Sequence, residues 1–208
     1  VTDLDEAMLG FGMPMGPMAL LDEVGIDVAM HVAQTLAAHY SDRMVVPASL
    51  GKMAGAGLLG RKTGRGFYVH AKGRKPQPNR DLPVTPRPAS FDRLVLQERM
   101  VLLMINEAAR CLEEYVVTDP EDVDFAMIMG VGFAPFRGGP LRYADTLGAA
   151  ALVGAMDHLV AGGSAHFAPC DLLRSMAASG AGFYAGAPGS GHDMHREAGP
   201  ERAPDTSS

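Results

Sequence analysis

The sequence predicts an all-α protein made of two tandem, related helical units, and three observations predict it. Apolar residues recur at the three-to-four spacing of a helix face, and no segment shows the alternation of a half-buried strand. Glycine and proline punctuate these segments at their ends. One phrase is also written twice, as "GFGMPMGPMALLDEVG" at 10–25 and "GFAPFRGGPLRYADTLG" at 132–148. Each copy sets Gly-Pro before an apolar segment, an Asp five residues after the Pro, and a Gly three residues after that.

The repetition runs further. "DEAML" (5–9) precedes the first copy as "DFAMIM" (124–129) precedes the second. "LGKMAGAG" (50–57) matches "LRSMAASG" (173–180) at Leu, Met, Ala and Gly, and each unit closes on "GFY", at 66–68 and 182–184. Four matches in one order identify a tandem duplication. The units span 1–70 and 91–184. A Pro- and charge-rich linker, 71–90, separates them, and a disordered tail follows at 185–208.

In the second unit, Leu94, Val101, Met104, Ile105, Ala108, Leu112 and Tyr115 form one face of a long helix over 92–117. "TDPED" (118–122) starts the next helix: Thr118 or Asp119 can cap it, Pro120 sets its first turn, and Glu121 and Asp122 oppose its dipole. Gly130–Gly132 stop it, Pro140 opens a short helix that Gly148 ends, and further helices follow near 149–161 and 169–179. Residue 1 falls just before the counterpart of the helix at Pro120. The first unit therefore lacks its long N-terminal helix, and an empty apolar groove is expected there. Either the chain is a fragment, a reading that Val1 favours, or a partner supplies that helix. Asp22 and Asp145 sit in the last turn of their helices, where the dipole disfavours a carboxylate. They are expected to bond a local backbone N–H or an Arg, which makes the repeated phrase a structural turn.

Composition narrows the function. The net charge of −6 argues against nucleic acid as a partner, no apolar run reaches membrane-spanning length, and no signal peptide opens the chain. Two cysteines, Cys111 and Cys170, are too few for a disulfide framework and fit a reducing cytoplasm, with Cys111 a buried structural thiol. "GAGLLG" (55–60) matches the dinucleotide fingerprint but follows a helix and lacks the acidic residue downstream, so it is rejected. Arg61, Lys62 and Arg65 stand among glycines and can contact a phosphate; the other reading is a solvated basic loop. "HDMH" (192–195) lies in the tail without further ligands. Asn106, with Glu107 and Arg110, is polar inside an apolar helix and either binds a ligand or bonds a neighbouring helix end. No catalytic constellation emerges.

"GMPMGPMALLDEVGID" (12–27), "LLGRKTGRGFY" (58–68), "INEAARCLEE" (105–114) and "GFAPFRGGPLRYADTLG" (132–148) resemble the C-terminal part of multifunctional fatty-acid oxidation complex α subunits. That part consists of two tandem 3-hydroxyacyl-CoA dehydrogenase C-terminal domains with a 6-phosphogluconate dehydrogenase C-terminal-like fold. The resemblance covers residues 1–184. It implies an enoyl-CoA hydratase domain and a Rossmann domain upstream or in a partner chain. Hydride would pass there between NAD and the 3-hydroxyl of an acyl-CoA, with a His–Glu pair as acid and base and an Asn on the first unit's long helix nearby. None of these residues lies in this chain, so the chain alone is expected to be catalytically incomplete and to bind no cofactor. The helical units would form the substrate cleft and buttress it, and a thiolase subunit is a further partner of such proteins. Met13, Pro14, Met15, Met129 and Asn106 are expected to face the substrate on this reading, Met129 standing where some members carry a substrate-contacting Tyr. The alternative is a stand-alone helical interaction module that binds a partner dehydrogenase or an acyl-CoA.

Overall fold

Proline opens and glycine closes the helices that matter most here. The computed structural model describes residues 1–41, 43–83 and 92–184. In the first unit, α1 (Thr2–Phe11), α2 (Pro17–Val24), α3 (Ile26–His39) and α4 (Ala48–Gly55) follow one another. A 3-10 turn (Arg61–Thr63) then leads into strands β1 (Tyr68–Val69) and β2 (Gln77–Pro78), paired antiparallel with Tyr68 opposite Pro78. α5 (Arg93–Glu113) precedes α6 (Pro120–Val131), α7 (Pro140–Leu147), α8 (Ala149–Ala161) and α9 (Asp171–Ser179). The order α1–α4 is thus repeated by α6–α9, with α5 added in front of the second set. α1 and α6 both end on a left-handed glycine, Gly12 at φ 112° and Gly132 at φ 70°, a conformation that costs any other residue. No helix among the described residues is long and apolar enough to cross a membrane.

The larger core belongs to both units. Val101, Leu102, Ile105 and Ala109 of α5 pack with Leu141, Leu152, Met156 and Leu173, and Met8 and Phe11 of α1 join them. Phe11 meets the rings of Phe133 and Tyr143 edge-on at 5.3 and 5.4 Å. Arg137 stacks 4.1 Å above the Phe11 ring, and its Nε donates to the Phe11 carbonyl at 3.1 Å. A smaller core of Ile26, Leu50, Met53, Leu58 and Phe67 serves the first unit. The two copies of the repeated phrase face one another: a Cβ at Gly12 would come within 2.5 Å of Phe136, and one at Gly132 within 2.7 Å of Pro14.

Three expectations change. The long helix ends at Glu113, not 117, because Tyr115 adopts φ 55° and the N–H groups of Val116 and Val117 both turn back to the Cys111 carbonyl. Tyr115 is 85% exposed and lies off the packed face. Asp119 precedes α6 as expected, but no side chain caps that helix; the Thr118 hydroxyl donates to Asp119 instead. The segment 71–82, expected to be linker, carries β2 and the buried Asn79, whose amide donates to the Gly66 carbonyl at 2.8 Å. A two-residue ladder is too short to write alternation into a sequence. The rest of the linker, 84–90, and the tail with its "HDMH" lie outside the described residues.

Candidate functional site

Four buried carboxylates organise the two units in the same way. Asp5 accepts from the N–H groups of Met18 (2.7 Å) and Ala19 (3.1 Å) and from the Tyr68 hydroxyl (2.6 Å). Asp124 accepts from Leu141 (2.7 Å), Arg142 (2.9 Å) and the Tyr184 hydroxyl (2.6 Å). Each carboxylate satisfies free N–H groups in the first turn of α2 or α7, where the helix dipole also favours negative charge. Asp22 in turn accepts from Phe67 and Tyr68 N–H and from His70 Nε2, and Asp145 from Phe183 and Tyr184 N–H, all within 2.9 Å. Asp22 and Asp145 do bond backbone N–H groups, but these lie 45 and 38 residues further along. The closing "GFY" is the other half of each lock, and only its appearance in both units could have pointed to Tyr68 and Tyr184.

Burial pushes the Asp124 carboxyl up against the pull of its three hydrogen bonds. It also pushes the Tyr68 and Tyr184 phenols well above their usual range, with the bonded carboxylate adding to the effect. Tyrosines of the unfolded chain ionise near pH ~10 while these two keep their protons, so the native state binds more protons there. Stability is therefore retained below that pH and falls above it, by up to about 1.4 kcal/mol per pH unit for each tyrosine. Tyr68→Phe with Tyr184→Phe should flatten this alkaline limb in urea titrations across the range.

The positions singled out from sequence do not converge. Arg61 pairs with Glu23 and Arg65 with Asp81, both at 2.6 Å, and Lys62 pairs with Asp27. The three cations expected to share a phosphate thus face three separate carboxylates. Asn106 is 1% exposed; its amide donates to the Ala168 carbonyl, and its oxygen accepts from Cys170 N–H, both at 2.9 Å. Of the two readings open for Asn106, the geometry gives the helix-end bond, at the start of α9. Burial raises both Cys111 and Cys170 thiols, which makes them poor nucleophiles. Met13 packs on the shared core and Pro14 against Gly132, the residue that ends the helix carrying Met129.

What stands open is an apolar surface. Leu20, Val24, Val28, Val32 and Leu36 run along α2 and α3 at four-residue spacing, each 40–50% exposed. When Asp22 is set on Asp145, the first four fall on Tyr143, Leu147, Ala151 and Ala155. Those residues form one wall of a cleft of about 400 Å³ whose other wall is α5. Among the described residues the first unit has no helix in the place of α5. Phe125 and Met129 of α6, 66% and 70% exposed, fall on Glu6 and Gly10 of α1 when Asp124 is set on Asp5. On α1 that face meets α5, where Glu6 pairs with Arg93.

A family model described as the C-terminal domain of 3-hydroxyacyl-CoA dehydrogenase matches residues 1–70 and 96–187. The chain belongs to this family. Among its curated relatives, this dehydrogenase-family chain is 43% identical over 190 residues to the fatty acid oxidation complex subunit alpha of Shewanella amazonensis. It is 44% identical over 189 residues to that of Shewanella loihica. Each alignment takes in 88% of this chain and 27% of the relative, so the chain spans about a quarter of their length. The fold matches a 3-hydroxybutyryl-CoA dehydrogenase from Escherichia coli with a TM-score of 0.67 at 20% identity, over 85% of this chain and 54% of that one. It also matches the dehydrogenase part of multifunctional enzyme 1 from C. elegans with a TM-score of 0.62 at 22% identity, over 84% and 41%.

Proposed function

We propose that this chain is the helical, cleft-forming and domain-packing part of a fatty-acid β-oxidation 3-hydroxyacyl-CoA dehydrogenase, and that 1–70 and 91–184 are two copies of one domain. The bare apolar stripe on α2–α3 carries the proposal, because α5 of the second unit marks what the first unit requires. α5 bridges α7 of its own unit and α1 of the other. With the roles exchanged, one amphipathic helix would bridge α2–α3 and Phe125–Met129 on α6. That helix, a Rossmann domain, NAD and the acid–base pair belong to the rest of the enzyme, which acts on 3-hydroxyacyl-CoA in the cytoplasm and, in the α subunit setting, beside a thiolase subunit.

The dinucleotide-like stretch 55–60 does not fit NAD. Gly55–Gly60 run from the C-terminal end of α4 into a 3-10 turn, with no strand leading into a helix N-terminus to receive a pyrophosphate.

Joining this chain to the upstream part of the Shewanella loihica relative tests the proposal. NAD-dependent oxidation of 3-hydroxybutyryl-CoA is expected from the joined protein and not from the 208-residue chain. Val28→Asp and Phe125→Asp should each change the stability of the isolated chain by only about 0.5 kcal/mol, as exposed positions do. In the joined enzyme each should lower kcat/KM by about tenfold or more, because a charge would then be buried against the incoming helix. Turnover by the isolated chain, or a joined enzyme indifferent to both substitutions, would overturn the reading. Tight capture of a separately made dehydrogenase by the isolated chain would instead favour the stand-alone module.

A further inference from the structure

The turn after His70 builds a cleft that the fold does not require. Arg61, His70, Lys72 and Arg74 line about 510 Å³ of space, with Glu23 on one wall. The chain as a whole carries a net charge of −6, yet residues 61–80 hold seven of its Lys and Arg and no Asp or Glu. Two of the cleft's basic groups are anchored from α2. Glu23 holds Arg61 through one Nη at 2.6 Å, and the buried Asp22 holds His70 through Nε2 at 2.8 Å. Anchoring of this kind leaves the remaining Arg61 guanidinium donors for a ligand, with their orientation already fixed, and sets the His70 ring on the cleft wall.

Lys72 and Arg74 ride on a tight turn closed by Arg74 N–H to the Ala71 carbonyl at 3.1 Å, with Gly73 at φ 73°. Neither side chain has a carboxylate partner among the described residues. The second unit keeps the carboxylate–tyrosine lock without this apparatus: after Tyr184 the sequence reads "AGAPGSGHDMH" and reaches no Lys or Arg before Arg196. The lock itself therefore does not call for these basic side chains.

We infer that this cleft binds the phosphoryl group of a soluble phosphate ester. One anchored cation, Arg61, and two without carboxylate partners among the described residues, Lys72 and Arg74, around one small space match a compact, multiply charged anion. An acidic chain disfavours a nucleic-acid backbone as the source. That the ester is the CoA portion of a thioester rests on the function proposed above; the anion site itself does not.

Calorimetric titration of this chain with pyrophosphate and with CoA tests both parts, beside Lys72→Glu/Arg74→Glu and, as control, the exposed Lys52→Glu. Both anions should bind, and the double variant should weaken both by about tenfold or more, with Lys52→Glu unchanged and circular dichroism native throughout. CoA binding no tighter than pyrophosphate would leave the anion site standing and overturn its assignment to CoA. Failure of both anions to bind, equal binding by the double variant, or binding only to vesicles containing phosphatidylglycerol would overturn the site.

Discussion

Asp124→Ala is expected to lower the unfolding free energy of this chain by about 3–5 kcal/mol, a large part of what a small protein possesses. The carboxylate serves three donors: Leu141 N–H and Arg142 N–H in the first turn of α7, and the Tyr184 hydroxyl. Truncation removes all three acceptor contacts at a site only 3% exposed, and each buried donor left without a partner costs about 1–3 kcal/mol. The sum is not fully realised. Burial already opposes ionisation of Asp124, so removing the charge recovers part of the loss. Asp124→Asn keeps the shape and one carbonyl acceptor and should cost less. Urea unfolding followed by far-ultraviolet circular dichroism reads the difference; an alanine variant within about 1 kcal/mol of wild type would refute the lock as a principal stabiliser.

Gly60→Ala is expected to cost about 3 kcal/mol or more, through two separable terms. Gly60 sits at φ 91°, where a side chain is strained. A Cβ there would lie 2.7 Å from the Asp22 Cα and overlap the Asp22 carbonyl oxygen. The obstacle is backbone and cannot rotate away, and moving it would pull the Asp22 carboxylate from Phe67, Tyr68 and His70. Gly57→Ala is the comparison. It also has a positive φ, 71°, but nothing lies within 4 Å of its added Cβ. Only backbone strain of about 1 kcal/mol therefore remains, without the overlap and without the ψ of −149° that makes Gly60 harder to replace. Thermal midpoints of the two variants should therefore differ markedly; equal midpoints would mean that the close approach of the two backbones matters little.

Features set by neighbouring residues were legible in the sequence. Pro120, Pro140, Gly132 and Gly148 mark their helix ends because proline geometry and left-handed glycine are local properties. That the first unit lacks a covering helix follows from comparing the two units; which residues stand bare, Leu20–Leu36, is shown by their exposure. Features set by distant pairing were not legible. Nothing local says that Asp22 will reach Phe67, or that Glu23 and Asp27 will take Arg61 and Lys62. Asn106 could be narrowed to two roles, and only the position of Ala168 and Cys170 in space chooses between them. The helical period also runs on through Tyr115, while a single positive φ ends the helix two residues earlier.

The shared core has a consequence for synthesis on the ribosome. Phe11 is completely buried, yet the residues that cover it, Phe133, Arg137 and Tyr143, are translated more than 120 positions later. At elongation rates of about 5–20 residues per second α1 waits roughly 6–25 s for them. During that interval its apolar face must stay in the exit tunnel's neighbourhood, in a chaperone's grip, or against residues it will later leave.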